Sequence, residues 1–316
     1  MRRKPLGYSD LTLPPIVFGG NVFGWTADPV TSFKLLDALL EAGLNAIDTA
    51  DVYSRWIPGH AGGESEAIIG VWLKNRGGRD KVIVASKCGL DMGPVKGKGL
   101  SKTHILAAVE DSLVRLQTDY IDLYQAHRDD EATPLEETLE AFATLVRQGK
   151  VRTIGASNYT AARLAQALEI SKKLGLPRFE SLQPEYNLVE RKEFEGELEQ
   201  LCLSEHIGVI NYYSLAAGFL TGKYRADSNL ANTARGGSVK KYFNRQGFAV
   251  VDALHAQAER LNATPAQVAL AWQIARPSIT APIASATSLE QLDGLVKAAQ
   301  LKLDTEAVEA LDVASK

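Results

Sequence analysis

The feature that most constrains the fold is a regular alternation of short β-rich apolar runs with longer stretches of helical periodicity. Helix-like segments lie between the runs, for example at 31–43, 103–117 and 134–149, where apolar residues recur at i, i+3 and i+4. The runs themselves occupy residues 15–20, 45–50, 81–87, 120–127, 151–158, 179–187, 207–214 and 279–286. Eight strands joined by helical crossovers predict an α/β protein with a (β/α)8 (TIM) barrel.

A doubly wound nucleotide-binding sheet is the alternative α/β architecture. It should carry a glycine-rich turn between a strand and a helix, but the sequence holds no GxGxxG, and 93–101 lacks P-loop spacing. We therefore expect one barrel domain over residues 1–316. The polar, Gly- and Asn-rich stretch 222–246 interrupts the alternation, and we expect it to be a long functional loop.

Composition and charge exclude several classes of protein. The 35 basic and 38 acidic residues give a net charge of -3, which argues against a nucleic-acid binder. The two cysteines, Cys88 and Cys202, are too few for a disulfide scaffold or a cysteine zinc site and suit a reducing cytoplasm. The long uncharged stretches are interrupted by Gly, Pro or polar residues, and no apolar region follows the basic N-terminus. We expect a cytoplasmic protein with no nucleic-acid or membrane partner.

Polar side chains stand where the predicted strands end, and in a barrel the active site lies at that face. Asp48, Lys87 and His127 end the second, third and fourth runs, and Tyr53 lies in the loop after Asp48. Taken singly, Asp48 could be a turn residue, Lys87 a solvated lysine and His127 a core histidine. Ser157 and Asn158, which end the fifth run, could cap the following helix. Together, the groups on three consecutive strand ends favour one shared pocket.

The four groups suit proton transfer to an oxygen atom. A tyrosine hydroxyl has an ordinary pKa of about 10, and a nearby Lys87 ammonium is expected to lower it. A partly buried Lys87 needs a counter-ion, which Asp48 can supply, and His127 can donate a hydrogen bond to a substrate oxygen. Such a site protonates an oxygen as charge develops on it, as when a carbonyl receives hydride.

These residues lie in motifs that span essentially the whole chain. The motifs are NAIDTADVYS (45–54), GGESEAIIG (62–70), IVASK (83–87), DYIDLYQAH (119–127), GKVRTIGASN (149–158), LQPEYNL (182–188), YYSLAAGFLTGKY (212–224) and SLEQLDGL (288–295). Together they resemble the aldo-keto reductase family, in the bacterial branch related to the voltage-gated potassium channel β subunits.

The resemblance implies roles for individual residues. Tyr53 would be the general acid, Lys87 and Asp48 would tune it, and His127 would bind and polarise the carbonyl. Residues implied to hold the nicotinamide are Ser157, Asn158 and Gln183 on the carboxamide, Tyr212 stacked on the ring, and Gly20 and Asn21 near the ribose. Residues implied to hold the rest of the cofactor are Leu215, Gly218 and Lys223 near the pyrophosphate, Gln291 near the adenosine, and Ser214 and Ser285.

The sequence departs from its relatives near the cofactor. Asn211 stands where many have Pro, and Tyr213 where many have Ser. Residues 283–291 lack the cation that often binds the 2′-phosphate of NADPH and carry Glu290 instead, which favours NADH. Against this, the stretch 222–246 contains six basic residues and one acidic residue, Asp227. They are Lys223, Arg225, Arg235, Lys240, Lys241 and Arg245.

Those cations bear on the choice of cofactor because Arg and Lys are the usual partners of phosphate. They predict NADPH as the cofactor, with NAD possible, and a clamp role for the loop. The ordinary alternative is a solvated charge run, which we favour for Lys240 and Lys241.

The predicted function is reversible reduction of a small-molecule aldehyde or ketone with NADPH. A rival function is a regulatory or redox-sensing subunit that binds a nicotinamide cofactor. A metal-dependent barrel hydrolase is disfavoured, because His60, His104, His206 and His255 form no metal-binding pattern and we assign no metal. Two tryptophans, Trp25 and Trp56, follow the first two strand runs and either line an aromatic pocket or pack at the surface.

Overall fold

The computed structural model describes residues 1–225, 227–229 and 236–316. Its strands are β1 (Lys4–Pro5), β2 (Thr12–Leu13), β3 (Val17–Gly19), β4 (Ala46–Asp48), β5 (Ile83–Cys88), β6 (Ile121–Ala126), β7 (Val151–Ser157), β8 (Ser181–Gln183), β9 (Gly208–Val209) and β10 (Ile283–Ala284). The last eight form one parallel sheet in the order β10-β3-β4-β5-β6-β7-β8-β9. Seven of them lie within the predicted runs and β5 extends one residue beyond its run, to Cys88, so the predicted strands are confirmed.

The sheet closes on itself between β9 and the segment that leads into β10. The amide of Thr280 donates to the Val209 carbonyl at 2.8 Å, and the amide of Ile283 donates to the Asn211 carbonyl at 2.8 Å. These bonds join the two ends of the strand order and complete a (β/α)8 barrel, as predicted.

Helices cover the outside of the barrel, where their apolar faces pack on the outward side chains of the strands. They are α1 (Pro29–Glu41), α2 (Glu64–Arg76), α3 (Lys102–Leu116), α4 (Leu135–Arg147), α5 (Ala161–Leu174), α6 (Glu197–Ser204), α7 (Gly236–Val239), α8 (Arg245–Arg260), α9 (Pro265–Ala275), α10 (Leu289–Gln300) and α11 (Thr305–Ala314). Local signals set their starts: Asp28 caps α1, and Thr264 with Gln267 forms a capping box at α9. No helix of the described residues is long and apolar enough to cross a membrane.

An antiparallel hairpin of β1 and β2 covers the N-terminal end of the barrel. Its buried leucines, Leu6, Leu11 and Leu13, pack with inward-facing barrel residues that include Ala85 and Leu123. No sequence pattern predicted this hairpin, because its two-residue strands lie in a mixed polar stretch, whereas the equally short β9 and β10 lie in apolar runs. With that end filled, polar strand-end residues gather at the opposite, C-terminal face.

The predicted loop at 222–246 is wrong in its C-terminal part. Helix α7 and a 3₁₀ helix, Lys240–Tyr242, follow from residue 236, and α8 begins at Arg245. A few apolar residues in the polar run explain this: Phe219 packs against Tyr242 and Phe243, with ring centroids 5.6 and 5.8 Å away. Arg235 lies outside the described residues.

Candidate active site

A buried ion pair forms the base of the site. Lys87 on β5 and Asp48 at the end of β4 are 0% and 2% exposed, and Lys87 Nζ donates to Asp48 Oδ2 at 2.8 Å. Nζ also donates to the Thr49 carbonyl at 2.7 Å and to the Tyr53 hydroxyl at 3.0 Å, so all three ammonium protons are used. Burial acts to lower the pKa of Lys87, but Asp48 and Tyr53 outweigh it and raise that pKa. Lys87 is therefore a fixed cation and not a solvated strand-end residue.

The structure brings Tyr53 to this cation but shifts its pKa in the direction opposite to our expectation. Burial raises the pKa of Tyr53, Lys87 lowers it, Asp48 raises it again, and the net shift is upward. The expectation of a lowered pKa is wrong because it left out desolvation, which penalises the phenolate. Tyr53 is thus a protonated phenol at neutral pH, held against an ammonium that can stabilise its conjugate base.

His127 directly follows β6 and lies beside Tyr53, with the two ring centroids 6.0 Å apart and an interplanar angle of 72°. Burial, followed by the charges of Lys87 and Arg128, holds the pKa of His127 well below its ordinary value. The imidazole is therefore neutral. Its buried Nδ1 has no hydrogen-bond partner among the described residues.

Gln183 on β8 joins the ion pair to the neighbouring strand. Its Nε2 donates to Asp48 Oδ1 at 2.9 Å, and its backbone carbonyl accepts from Ser157 Oγ at 2.8 Å. Asp48 is thus held from two sides, by Lys87 and by Gln183.

Asn158 extends the same network toward Tyr212. Its Nδ2 donates to the His127 carbonyl and to Ser157 Oγ, both at 3.0 Å, and its Oδ1 accepts from the Tyr212 hydroxyl at 2.8 Å. Its φ of 58° lies in the left-handed region, which Asn tolerates better than most residues. Neither Ser157 nor Asn158 caps the following helix, because Thr160 does so.

Gly20 and Asn21 follow β3; Gly20 lies against the end of β4 and Asn21 against Ser285, which follows β10. A Cβ atom on Gly20 would lie 3.0 Å from the Asp48 carbonyl oxygen, so a side chain there would crowd the site. Asn21 Oδ1 accepts from Ser285 Oγ at 2.7 Å, across the seam between the first and last barrel strands. Gln291 lies farther out and is exposed, and its Oε1 accepts from the Thr287 amide at 2.9 Å.

The segment after Tyr212 makes a tight, irregular turn. Positive φ angles occur at Tyr213 (53°), Ala216 (49°) and Ala217 (56°), and at Gly218 (96°). Leu215 precedes a short 3₁₀ helix, Ala216–Thr221, and its carbonyl accepts from the Gly218 amide at 2.8 Å. Lys223 beyond this helix is exposed, 5.0 Å from the ring of Tyr224.

Asn211 and Ser214 hold this turn against the body of the barrel. The buried Asn211 Nδ2 donates to the Tyr186 carbonyl at 2.7 Å and to Gln273 Oε1 at 2.6 Å. The Ser214 carbonyl accepts from Gln273 Nε2 at 2.8 Å. Proline has no side-chain amide, so Asn211 supplies anchoring bonds that a proline at this position cannot.

Lys241 is not a freely solvated charge, contrary to our expectation. Its Nζ lies 3.2 Å from Glu185 Oε1 and 2.7 Å from Glu190 Oε1, and the Tyr242 hydroxyl also donates to Glu185. The two carboxylates follow β8, a position the polar sequence of 222–246 does not reveal. Lys240 is exposed, as expected.

Two tryptophans extend an aromatic surface from Tyr53 toward solvent. The Trp56 ring lies edge-on to Tyr53, at 5.7 Å between centroids, and Trp25 lies edge-on to Trp56 at 5.5 Å. Trp56 is 46% exposed. An apolar group bound beside the phenol would therefore meet an indole ring.

A second buried carboxylate cluster, for which no sequence pattern predicted a role, lies behind Lys87. Glu66 accepts from Arg115 Nε at 2.7 Å and from Ser86 Oγ. Asp51 is 2% exposed, and neither of its carboxylate oxygens has a hydrogen-bond partner among the described residues. Burial, followed by the charge of Glu66, raises the pKa of Asp51 to about 8. Both acids lie in motifs quoted above, but polarity alone does not reveal that they are buried.

Comparisons with known proteins agree with this geometry. The profile of the family described as Aldo/keto reductase family matches residues 15–316. The uncharacterized oxidoreductase YrpG of Bacillus subtilis is 35% identical, over 97% of this chain and 94% of the relative. A probable voltage-gated potassium channel subunit beta of Oryza sativa subsp. japonica is 33% identical, over 94% and 91%. Versiconal hemiacetal acetate reductase of Aspergillus parasiticus is 32% identical, over 99% and 96%.

Proposed function

Because the chain belongs to the aldo/keto reductase family and is an NAD(P)H-dependent oxidoreductase, we propose that it reduces small aldehydes or ketones to alcohols, with Tyr53 as the proton donor. The observation that carries the proposal is the chain of contacts from Asp48 through Lys87 to the Tyr53 hydroxyl, at 2.8 and 3.0 Å. We also propose a cytoplasmic location, since both cysteines are free and buried.

The protein's part in the reaction is to protonate the carbonyl oxygen while hydride arrives at carbon. Tyr53 begins as a phenol, because burial raises its pKa, and it gives its proton to the developing alkoxide. The resulting phenolate is stabilised by Lys87, which already lies 3.0 Å from the phenolic oxygen. Neutral His127 donates a hydrogen bond that orients the carbonyl. Asp48 keeps the ammonium in place, and the reaction reverses through the same groups.

The residues at this end of the barrel fit a nicotinamide cofactor, which would supply the hydride. Ser157, Asn158 and Gln183 bring hydroxyl and amide groups together, a set that complements a carboxamide. The Gln183 amide is held in place by its Nε2 bond to Asp48 Oδ1 at 2.9 Å. A side chain at Gly20 would crowd the Asp48 carbonyl oxygen, which lies 3.0 Å from the position of a Cβ atom there. Asn21, Ser285, Ser214, Leu215, Gly218 and Gln291 would hold the remainder.

We propose NADPH as the preferred cofactor. Lys223 and Arg225 are exposed cations directly after the turn that would hold the pyrophosphate. Lys241 is engaged by Glu185 and Glu190, so the proposed clamp now depends on the earlier cations. Glu290 is exposed at the start of α10 and offers no attraction to a 2′-phosphate.

The rival function is a nicotinamide-binding regulatory subunit, and one relative is named as a channel subunit. The experiment that separates the two is steady-state turnover of aromatic and aliphatic aldehydes and ketones, with NADPH and with NADH. Catalytic reduction, faster with NADPH and best with aromatic carbonyls that can pack on Trp56, supports the proposal. Tight cofactor binding without turnover of any carbonyl would favour the regulatory function instead.

A further inference from the structure

One carboxylate accepts hydrogen bonds from several backbone amides of the loop that follows Tyr53. Glu64, the first residue of α2, accepts at Oε2 from the Ser54 amide at 3.2 Å. Its Oε1 accepts from the amides of Ala61 and Gly62 at 2.8 and 3.2 Å. A single side chain therefore ties the first residue after Tyr53 to the end of the same loop.

The loop contains two elements of the candidate site. The Tyr53 carbonyl accepts from the Gly63 amide at 2.8 Å, so this backbone lies directly against the start of α2. Trp56, which packs on the Tyr53 ring, lies between the two ends that Glu64 joins. The backbone bonds within the turn, from Ile57 to Ser54 and from His60 to Ile57, are local. Ser54 Oγ and Arg55 Nη1 also bond to carbonyls outside the loop, but Glu64 alone joins residue 54 to residues 61 and 62 among the described hydrogen bonds.

We propose that Glu64 is a positioning residue for proton delivery: it fixes the loop 54–62 and so holds the Tyr53 hydroxyl and Trp56 in place for the carbonyl. This inference rests on the proposed reductase function. Glu64 contacts neither the Tyr53 hydroxyl nor Lys87, and its effect passes through the backbone.

The carboxylate form is essential to this arrangement. Partial burial acts to raise the pKa of Glu64, but the backbone N–H groups outweigh it and lower that pKa, so the side chain is ionised at neutral pH. Glutamine at this position would present an NH2 group where a carboxylate oxygen now accepts N–H donors. Aspartate keeps both acceptors but is shorter by one methylene group.

Asp130 offers a matched control. Its Oδ2 accepts from the Leu100 amide at 2.8 Å and from Thr133 Oγ1 at 2.7 Å, and its Oδ1 accepts from the Ala132 amide at 3.2 Å. Asp130 therefore accepts loop N–H groups as Glu64 does, but from loops that are not attached to Tyr53.

The test measures kcat, the cofactor KM and the solvent deuterium isotope effect for E64A, E64Q, E64D and D130N. E64A should lower kcat by about tenfold to a hundredfold, the cost of a small displacement of a reacting group. The cofactor KM should be unchanged and the isotope effect should rise, because proton delivery becomes slower. E64D should recover part of the rate and E64Q less. D130N should leave the isotope effect at the wild-type value.

A double variant decides whether Glu64 acts through Tyr53. In the Y53F background, E64A should cost little further activity, whereas independent losses that multiply would overturn the proposal. Amide hydrogen exchange separates this inference from the proposed function, since it needs no turnover. E64A should speed exchange at residues 54–62, and unchanged exchange there would overturn the role of Glu64. Absence of wild-type turnover, by contrast, would overturn the reductase function.

Discussion

Replacing Lys87 by methionine tests how much of the site's stability depends on one buried ion pair. The change removes three hydrogen bonds, to Asp48, Thr49 and Tyr53. It leaves the Asp48 carboxylate 2% exposed, with the Gln183 amide as its one side-chain partner among the described residues. Removing one member of a buried pair costs about 3–5 kcal/mol, chiefly because the other charge is left uncompensated. K87M should lose that much unfolding free energy.

The double variant D48N/K87M distinguishes this cause from a simple loss of packing. Because it carries no stranded charge, it should be more stable than K87M, with a coupling between the sites of about 1–3 kcal/mol. Equilibrium unfolding in urea measures both variants and D48N alone. The reasoning is refuted if K87M loses less than about 1 kcal/mol, well below the range for a buried pair. It is also refuted if the two single losses simply add.

Two further predictions concern the buried acid behind Lys87 and the cofactor. Since the pKa of Asp51 is raised to about 8, the folded protein retains a proton that the unfolded chain releases, and stability should fall as pH rises from about 4 toward 8. Urea unfolding at each pH measures this fall, and D51N should remove about 2–3 kcal/mol of it between pH 5 and 7.5. If the stability of D51N and of the wild type fell in parallel with pH, the raised pKa of Asp51 would be contradicted. For the cofactor, rising salt should weaken NADPH binding more than NADH binding, and K223A/R225A should weaken NADPH selectively in a fluorescence titration. Equal losses for both cofactors would restrict these cations to the pyrophosphate.

The sequence was sufficient to predict the barrel because each of its eight strands is long enough, or apolar enough, to leave a local signal. The functional side chains at the strand ends could also be predicted from the sequence. Asp48, Lys87 and His127 could be placed together because parallel strands in a barrel end at one face. The hairpin of β1 and β2 gave no such signal, since its short strands lie in a mixed polar stretch with no apolar run.

What sequence patterns could not supply are the effects of burial and of distant partners. The pKa of Tyr53 rises because desolvation exceeds the effect of Lys87, and no local pattern gives the size of either effect. The sequence predicts Lys241 as a solvated surface charge, because its partners Glu185 and Glu190 are distant along the chain and meet it only in the folded protein. Glu64 lies in a motif that could be recognised, but its three N–H donors come from a loop without periodicity.

The central claim is that Tyr53 donates the proton during carbonyl reduction, and Y53F tests it most directly. The substitution removes only the hydroxyl, so cofactor affinity and the unfolding free energy serve as internal controls. Single-turnover reduction of an aldehyde by the enzyme with bound NADPH should slow by about 10²–10⁴-fold, the usual contribution of general acid catalysis. Reduction at a rate near that of the wild type, with the cofactor bound normally, would contradict the assignment.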